Sequence, residues 1–267
     1  MRERCVAFAS SKNENLPLAV RIISDWRSIA MSIITEIISG IFCGYLVISL
    51  CESFFHRIIQ HASPALRAFY KKLGRPGALL ARAWYSHHVV HHFLAFKKNH
   101  VTQFSSDEER KWLNSLLEAR RGSDIIECKY GLVLGGRLKY YLMYMAPTLP
   151  LFILICGFGG IWFKIGAYIP LCVWPTLAEL VHPYLHAPYR HVIDHGPFSV
   201  RILARTAYFR YLAQHHWLHH RYTDCNYNFY FLRAWRWASD KDLDEMRCVG
   251  LWCGAPGNQL GGASPLR

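Results

Sequence analysis

The sequence lacks paired cysteines, a signal-peptide core and a balance between acidic and basic residues. Its nine cysteines are scattered and include no C-x-x-C pair, which argues against a disulfide framework and against a cysteine metal site. Several of them lie in apolar runs, where a free cysteine behaves as a small hydrophobic residue. The first ~25 residues are mixed and charged, unlike the apolar core of a secretory signal. These absences favour a reducing compartment around the polar parts of the chain.

Acidic residues are scarce. The chain has 18 aspartates and glutamates but 31 lysines and arginines, which gives a formal net charge of +13. The chain is nevertheless 52% hydrophobic and 15% aromatic. Two classes of protein combine these properties, namely nucleic-acid-binding proteins and membrane proteins with basic cytoplasmic loops. Basic residues crowd segments 57–137 and 190–247, between and after the apolar runs. This arrangement favours the membrane class and excludes a nucleic-acid partner.

Three apolar runs, at about 29–55, 140–158 and 165–181, are candidates to cross a bilayer. A transmembrane helix needs about 20 residues, and proline inside it is tolerated where neighbouring helices satisfy the freed backbone groups. The second and third runs are joined by a short turn at Gly159-Gly160, which predicts a transmembrane hairpin. We therefore expect an all-α integral membrane fold of about three to four transmembrane helices, with a His-rich cytosolic helical cap.

The remaining segments complete the predicted domain organisation. Residues 1–28 form an N-terminal leader, either interfacial on the membrane surface or poorly ordered. Residues 29–247 form a single membrane-embedded domain, which contains a polar insertion at about 97–136. Within the insertion, Ser106 begins a capping box that predicts a short helix through about Ala119. The Gly-rich residues 248–267 form a loose C-terminal tail.

Histidines are concentrated in four boxes, the first formed by His56 and His61 and the third by His182 and His186. The second and fourth boxes occupy 87–92 and 215–220. On a regular α-helix, the H-x2-H-H spacing of the longer boxes places three imidazoles on one face. The ten histidines expected to bind metal are His56, His61, His88, His91, His92, His182, His186, His216, His219 and His220.

Two points of helical register stay open in this interpretation. His87 or His215 can replace the residue that follows it, because each also lies four residues from a partner. His56 and His61 are five residues apart, which places their rings roughly 140° apart on a regular α-helix. They can share a centre only if the helix ends or bulges between them, or if the site is broad.

Imidazole is a good ligand for Fe, Zn, Cu and Ni, and a poor one for Mg or Ca. Ten histidines are too many for one ion but suit two ions with about five nitrogens each. A further pair, His191 and His195, lies in a loop flanked by proline and glycine and is a weaker candidate. Three carboxylates could hold ring N–H groups, namely Glu52, Glu179 and Asp224. Three aromatic residues could line a substrate channel or simply pack in the core, namely Tyr184, Trp217 and Tyr227.

The box order H-x4-H, H-x2-H-H, H-x3-H, H-x2-H-H resembles the membrane-bound fatty acid hydroxylase / sterol desaturase superfamily. The stretch His216–Asn228, with Asn-Tyr-Asn after the histidines, looks like the last box of that family. The resemblance covers roughly His56 to Asp240. It implies two iron ions, with zinc possible in the isolated protein, and the use of O2 and external electrons. It also implies hydroxylation or desaturation of a fatty acyl chain or sterol at the cytoplasmic face of a membrane.

The chain departs from the family pattern in a long stretch between His92 and His182 and a long gap from His186 to His216. No haem-binding domain is fused to it, so the resemblance implies a separate electron donor that is cytochrome b5-like or ferredoxin-like. A bacterial inner membrane and an endoplasmic reticulum both satisfy the charge distribution. The alternative is a membrane zinc-binding or metal-transport protein, although transporters place their ligands near the middle of the spans.

Overall fold

The computed structural model describes residues 17–97, 99–101, 103–135, 138–157, 159–225 and 237–251. Throughout these residues the regular structure is helical, without a β-strand, as the sequence predicts. In chain order the elements are α1 (Leu18–Phe55), a first π-helix (His56–Gln60), α2 (Pro64–Lys72), α3 (Arg75–Trp84), a second π-helix (Tyr85–Ala95), α4 (Asp107–Ala119), α5 (Ser123–Glu127), a 3-10 turn (Lys129–Gly131), α6 (Leu138–Met145), a 3-10 turn (Ala146–Thr148), α7 (Leu149–Cys156), α8 (Ile161–Leu185), α9 (Tyr189–His195), α10 (Phe198–Ala204), α11 (Ala207–Arg221) and α12 (Asp240–Cys248).

The described chain forms two compact units. The first contains the described residues up to Val47 together with Pro150–Cys172, and the second contains Ile48–Leu149 with the described residues from Val173 onward. Residues 29–247, expected as a single domain, are therefore shared between two units. The helix α1 begins at Leu18, so part of the expected leader belongs to this helix, and residues 1–16 lie outside the described chain.

Among the described residues, one helix is long and apolar enough to cross a membrane. It consists of α1 from Ile22 onward and its π-helical continuation, the 39 residues Ile22–Gln60, and it includes the first expected span. The second expected span is divided into α6, a 3-10 turn and α7, because Pro147 and Pro150 lack the N–H group that a continuous helix needs. The third expected span lies within α8.

Within the first unit, α1 and α8 are in backbone contact at glycine positions. A Cβ atom on Gly40 or Gly44 would overlap the carbonyl oxygen of Phe163 or Ala167. Gly166 of α8 lies equally close to the Ile37 carbonyl of α1. Small residues that let helix backbones approach are typical of helix pairs in membranes, where lipid is as apolar as the helix surface.

The second unit has two hydrophobic clusters that support the histidine boxes. One packs the end of α8 and helices α9 to α11 together through residues such as Val192, Leu212 and Trp217. The other packs the second π-helix against the polar insertion through Val90, Leu113 and similar residues. The insertion contains α4, which begins and ends as the capping pattern predicts, and the Ser106 hydroxyl accepts a hydrogen bond from the Glu109 N–H at 3.3 Å.

Candidate metal centre

The first two boxes lie on π-helices, in which the backbone hydrogen bonds join residues five apart. The His61 N–H donates to the His56 carbonyl at 2.9 Å, and the Phe96 N–H donates to the His91 carbonyl at 3.1 Å. Such a turn brings residues i and i+5 to nearly the same face, whereas a regular α-helix separates them. The bulge that the spacing of His56 and His61 requires is therefore present. π-Helices are rare in proteins, and those that occur are often found at functional sites.

A first cluster of imidazoles joins boxes one, two and four. Its five ligand nitrogens lie within 4.8 Å of one another and belong to His56, His61, His87, His92 and His219. The Nε2 atom of His87 is 2.9 Å from that of His56 and 3.1 Å from that of His92. The Nε2 atoms of His61 and His219 are 3.1 Å apart.

A second cluster joins boxes two, three and four. It contains His91, His186, His216 and His220, again with all ligand nitrogens within 4.8 Å of one another. The Nε2 atom of His216 is 2.6 Å from that of His186, and the Nε2 atoms of His220 and His91 are 3.1 Å apart. His182 adjoins this cluster, since its Nε2 atom is 3.2 Å from that of His216.

The two clusters adjoin because neighbouring histidines on one helix divide between them. On α11, His216 and His220 are separated by one turn and enter the second cluster, while His219 enters the first. The rings of His92 and His220, one from each cluster, stack with centroids 3.9 Å apart. Each cluster is buried, and among the described residues both consist of histidine alone. These buried clusters can bind metal ions, as the sequence predicts, and their donors suit Fe, Zn, Cu or Ni.

Backbone carbonyl groups fix the orientation of four of these rings by accepting a hydrogen bond from Nδ1. The pairs are His91 with Tyr130 (3.2 Å), His182 with Leu132 (2.9 Å), His186 with His100 (3.0 Å) and His219 with Cys225 (2.8 Å). A carbonyl oxygen carries no proton, so Nδ1 must be the donor. In a neutral ring the lone pair then lies on Nε2, the atom that points into the cluster.

Burial keeps the clustered imidazoles neutral. It lowers the pKa of His91 and His92 well below 6.5, and repulsion between neighbouring imidazoles lowers it further. Burial also lowers the pKa of His219 to about 3, although the bond to the Cys225 carbonyl raises it. Neutral imidazole is the form that binds metal, so at pH 7 these rings require no deprotonation before an ion enters.

The structure places His87, not His88, in the first cluster. His88 is half-buried, its ring stacks on Trp84, and its Nδ1 atom is 3.0 Å from Nδ1 of His61. His88 is the residue predicted from the sequence, because it completes an i, i+3, i+4 triplet on an α-helix. In the π-helix the relevant spacing is i, i+5, which pairs His87 with His92.

The remaining histidines of the fourth box and of α9 also lie outside both clusters. His215 is buried beside the ring of Tyr211, so on α11 the structure agrees with the preference for His216. His191 and His195 are exposed on α9, with ring centroids 4.9 Å apart. They approach each other but contribute to neither cluster.

The three carboxylates predicted to hold ring N–H groups have different surroundings. Glu52 and Glu179 both line a cavity of about 90 Å3 beside the first and third boxes. The Glu179 carboxylate accepts a hydrogen bond from the Leu134 N–H. Asp224 is exposed, and the ring of His219 is held instead by the carbonyl of the following residue, Cys225. A backbone acceptor leaves no signal in residue type, so the sequence could not identify it.

Two of the aromatic residues predicted to line a channel belong to the hydrophobic core. Trp217 is buried in the cluster around α11, and Tyr184 packs against the same cluster. The Arg221 guanidinium lies over the Trp217 ring at 5.2 Å. Tyr227, the third candidate, lies outside the described residues.

A larger cavity of about 440 Å3 reaches the first cluster at His87. Its wall is mainly apolar and includes Phe55, Leu79, Ala83 and Ile125. Cavities of this size and character bind small molecules with a large apolar surface. At one part of the wall, Arg82 forms an ion pair with Asp124.

Comparison with known proteins identifies no relative. No protein-family model matches the sequence, no curated protein matches it, and no solved structure matches it.

Proposed function

We propose that this chain is an O2-dependent oxidoreductase that holds two iron ions and hydroxylates or desaturates a lipid in a membrane. The observation that carries the proposal is the pair of adjoining, buried clusters of histidine nitrogens. Two ions bound there would supply the reduction of O2 and the oxidation of a C–H bond, which no side chain performs. The donor set fits iron, since imidazole is among its usual ligands.

The residues of the chain contribute binding, orientation and exclusion of water. The carbonyl groups of Tyr130, His100 and Cys225 hold ring protons away from the cluster centres. Burial of His91 and His219 keeps bulk water away from the donors. Because a second hydrogen bond fixes the rings of His91, His186 and His219, these three ligands are oriented before an ion enters.

The cavity of about 440 Å3 supports a lipid substrate, because apolar side chains line it and His87 of the first cluster borders it. An acyl chain or the apolar part of a sterol would lie against Leu79 and Ala83, with carbon atoms beside the cluster. Hydroxylation inserts one oxygen atom of O2 into a C–H bond and reduces the other to water. Desaturation removes two hydrogen atoms and reduces both oxygen atoms to water. Either reaction consumes two electrons and two protons, for which we propose a separate cytochrome b5-like or ferredoxin-like donor.

A membrane location with the boxes on the cytoplasmic side is part of the same proposal. The apolar helix Ile22–Gln60 supports it, because this helix ends at the first box. The basic segments 57–137 and 190–247 belong on the cytoplasmic side according to the positive-inside rule.

Metal content and lipid products together test the function. We expect the detergent-purified full-length chain to bind about two iron ions, as two clusters require. With O2, a reductant and membrane lipid, it should form a lipid with one added oxygen atom or two fewer hydrogen atoms. The double variant His219→Ala with His220→Ala removes one ligand from each cluster and should lose both iron and product.

The variant Ala83→Trp is the matched control for the substrate cavity. It fills the space beside His87 without removing a ligand, so iron content should stay unchanged while lipid oxidation falls at least tenfold. A folded wild-type chain that binds only zinc, and that forms no lipid product after replacement by iron, would instead indicate a zinc-binding protein. Metal flux into vesicles without O2 consumption would indicate a transporter.

A further inference from the structure

We propose that the polar segment 97–135 is a positioning element for the second histidine cluster alone. This inference rests on metal binding at the two clusters, the first part of the proposed function, and not on the oxidation of lipid. It assigns a role to a segment that the sequence identifies only as a polar insertion.

Two histidines of the second cluster, and the adjoining His182, have a backbone acceptor that comes from this one segment. The carbonyl of Tyr130 holds Nδ1 of His91, and the carbonyl of His100 holds Nδ1 of His186. The adjoining His182 donates to the carbonyl of Leu132. In the first cluster, His219 instead donates to the carbonyl of Cys225, which lies outside the segment.

Two of these acceptor residues adopt a backbone conformation that L-residues rarely take. His100 has φ 63°, and Tyr130 has φ 60° within a short left-handed turn that also includes Lys129 at φ 48° and Gly131 at φ 86°. A residue other than glycine in this region is disfavoured unless its surroundings hold it there, and such residues concentrate at functional sites. Here the conformation directs a carbonyl group toward a ligand ring.

Neighbouring contacts hold both turns in place. The Tyr130 hydroxyl donates to Oδ1 of Asn114 at 2.7 Å, and the Tyr130 side chain is buried in the core of the insertion. Oδ1 of Asn99 accepts from the Val101 N–H at 3.1 Å, and Val101 is buried in the cluster around α11. The side chain of Tyr130 and the two neighbours of His100 thus anchor the segment at each acceptor.

Gly131 brings the left-handed turn directly against the ligand ring. A Cβ atom at this position would lie 3.4 Å from Cβ of His91, and 3.6 Å from its Nδ1 atom. The positive φ disfavours a side chain here independently of this contact. The turn and His91 are therefore in contact through the smallest residue available.

Substitution of His100 separates the role of its backbone from that of its side chain. Asn and Gly accept a left-handed conformation, whereas the β-branched Val does not. All three replacements remove the imidazole. We expect His100→Gly and His100→Asn to keep both metal sites, and His100→Val to weaken cobalt binding at one site by about 10- to 100-fold.

Titration of the metal-free, detergent-purified full-length chain with Co(II), followed by its visible absorption, measures both sites without any turnover. The affected site is identified by combining His100→Val with a ligand variant of each cluster. In a His87→Ala background, which damages the first cluster, His100→Val should weaken the remaining site. In a His216→Ala background, which damages the second cluster, the remaining site should be unaffected.

Several results would overturn the proposal. Equal losses in His100→Val and His100→Gly would assign the effect to the side chain, and unchanged binding in His100→Val would remove the need for the carbonyl. Weakening of the remaining site in the His216→Ala background would show a general structural effect. If His100→Val does not fold, as judged by circular dichroism, Gly131→Ala must show the same selective loss for the proposal to stand. A chain that binds two cobalt ions but oxidises no lipid would refute the proposed reaction and leave this inference intact.

Discussion

Three imidazoles in the clusters use their two nitrogens in different ways. In His91, His186 and His219 the Nδ1 atom donates to a carbonyl group and the Nε2 atom faces other Nε2 atoms. An Nε2 lone pair can face a second lone pair at about 3 Å only where a proton or a cation lies between them. A neutral cluster of this density is therefore well suited to a cation, and an acidic solution would compete for the same positions.

This competition predicts acid sensitivity of the metal-free protein. Burial lowers the pKa of His219 to about 3 and that of His215 to about 4, compared with about 6.5 in an unfolded chain. The unfolded state therefore takes up protons first as the pH falls. Stability from these groups is complete above about pH 6.5 and is lost progressively as the pH falls, down to about pH 4 for His215 and about pH 3 for His219.

Thermal unfolding of the metal-free chain across this pH range measures the effect. We expect the midpoint temperature to decrease as the pH decreases. His215→Gln should make this dependence on pH weaker, because it removes one titrating ring, and it leaves the ligands in place because His215 lies outside both clusters. Bound metal should flatten the profile as long as it stays bound, since a metallated nitrogen cannot be protonated. A midpoint that is constant over this range would contradict the neutral state inferred for the buried rings.

At the scale of elements, the two π-helices decide which histidines meet. The first π-helix brings His56 and His61 into one cluster, and the second places His87 and His92 in the same cluster. Histidine positions alone predict the four boxes and the need for a bulge in the first one. They do not predict a π-helix in the second box, because an α-helix also gives a plausible triplet there. The choice depends on packing around Val90 and Ala95, which the sequence pattern does not reveal.

The π-helical register predicts different effects for two adjacent substitutions. His87→Ala removes a ligand nitrogen that lies 2.9 Å from Nε2 of His56, so about half of the bound metal should be lost. His88→Ala removes a half-buried ring outside the cluster and should keep both ions. Metal analysis of the two purified variants at equal protein concentration distinguishes them. A greater loss in His88→Ala would favour the α-helical triplet over the π-helical pair.

For the whole molecule, the helical class and the convergence of the boxes are accessible from hydrophobic runs and histidine spacing. The capping pattern also identifies α4 correctly. The backbone acceptors at His100, Tyr130 and Cys225 are not accessible, because any residue type carries a carbonyl and only the folded backbone directs it. The prolines of the second expected span indicate that its helix can be interrupted. A continuous helix is an equally reasonable expectation, because proline is tolerated in membrane helices.

The number of spans leads to a prediction about two native cysteines. Cys172 and Cys248 both have exposed side chains, and Cys172 lies within α8 in the third expected span. If α8 crosses the bilayer, lipid covers Cys172 and a charged, membrane-impermeant maleimide cannot reach it. Cys248, on α12, should react if this helix lies on the proposed cytoplasmic side.

Labelling of single-cysteine variants in sealed, inside-out membranes tests this arrangement. We expect rapid modification of the chain that retains only Cys248. The chain that retains only Cys172 should stay unmodified until denaturing detergent dissolves the membrane. Equal modification of both chains in intact membranes would remove α8 from the set of spans.

At the close backbone contact of α1 with α8, the tendency of a helix to insert into lipid and its tendency to pack against another helix have opposite requirements. Adding methyl groups at Gly40, Gly44 or Gly166 would make the sequence more hydrophobic and thus more readily inserted into lipid. The same change would push apart two helices whose backbones now touch, with loss of van der Waals contact and of weak Cα–H to carbonyl bonds. A gain in insertion would therefore accompany a loss of assembly, so selection for hydrophobicity alone would erode this helix pair.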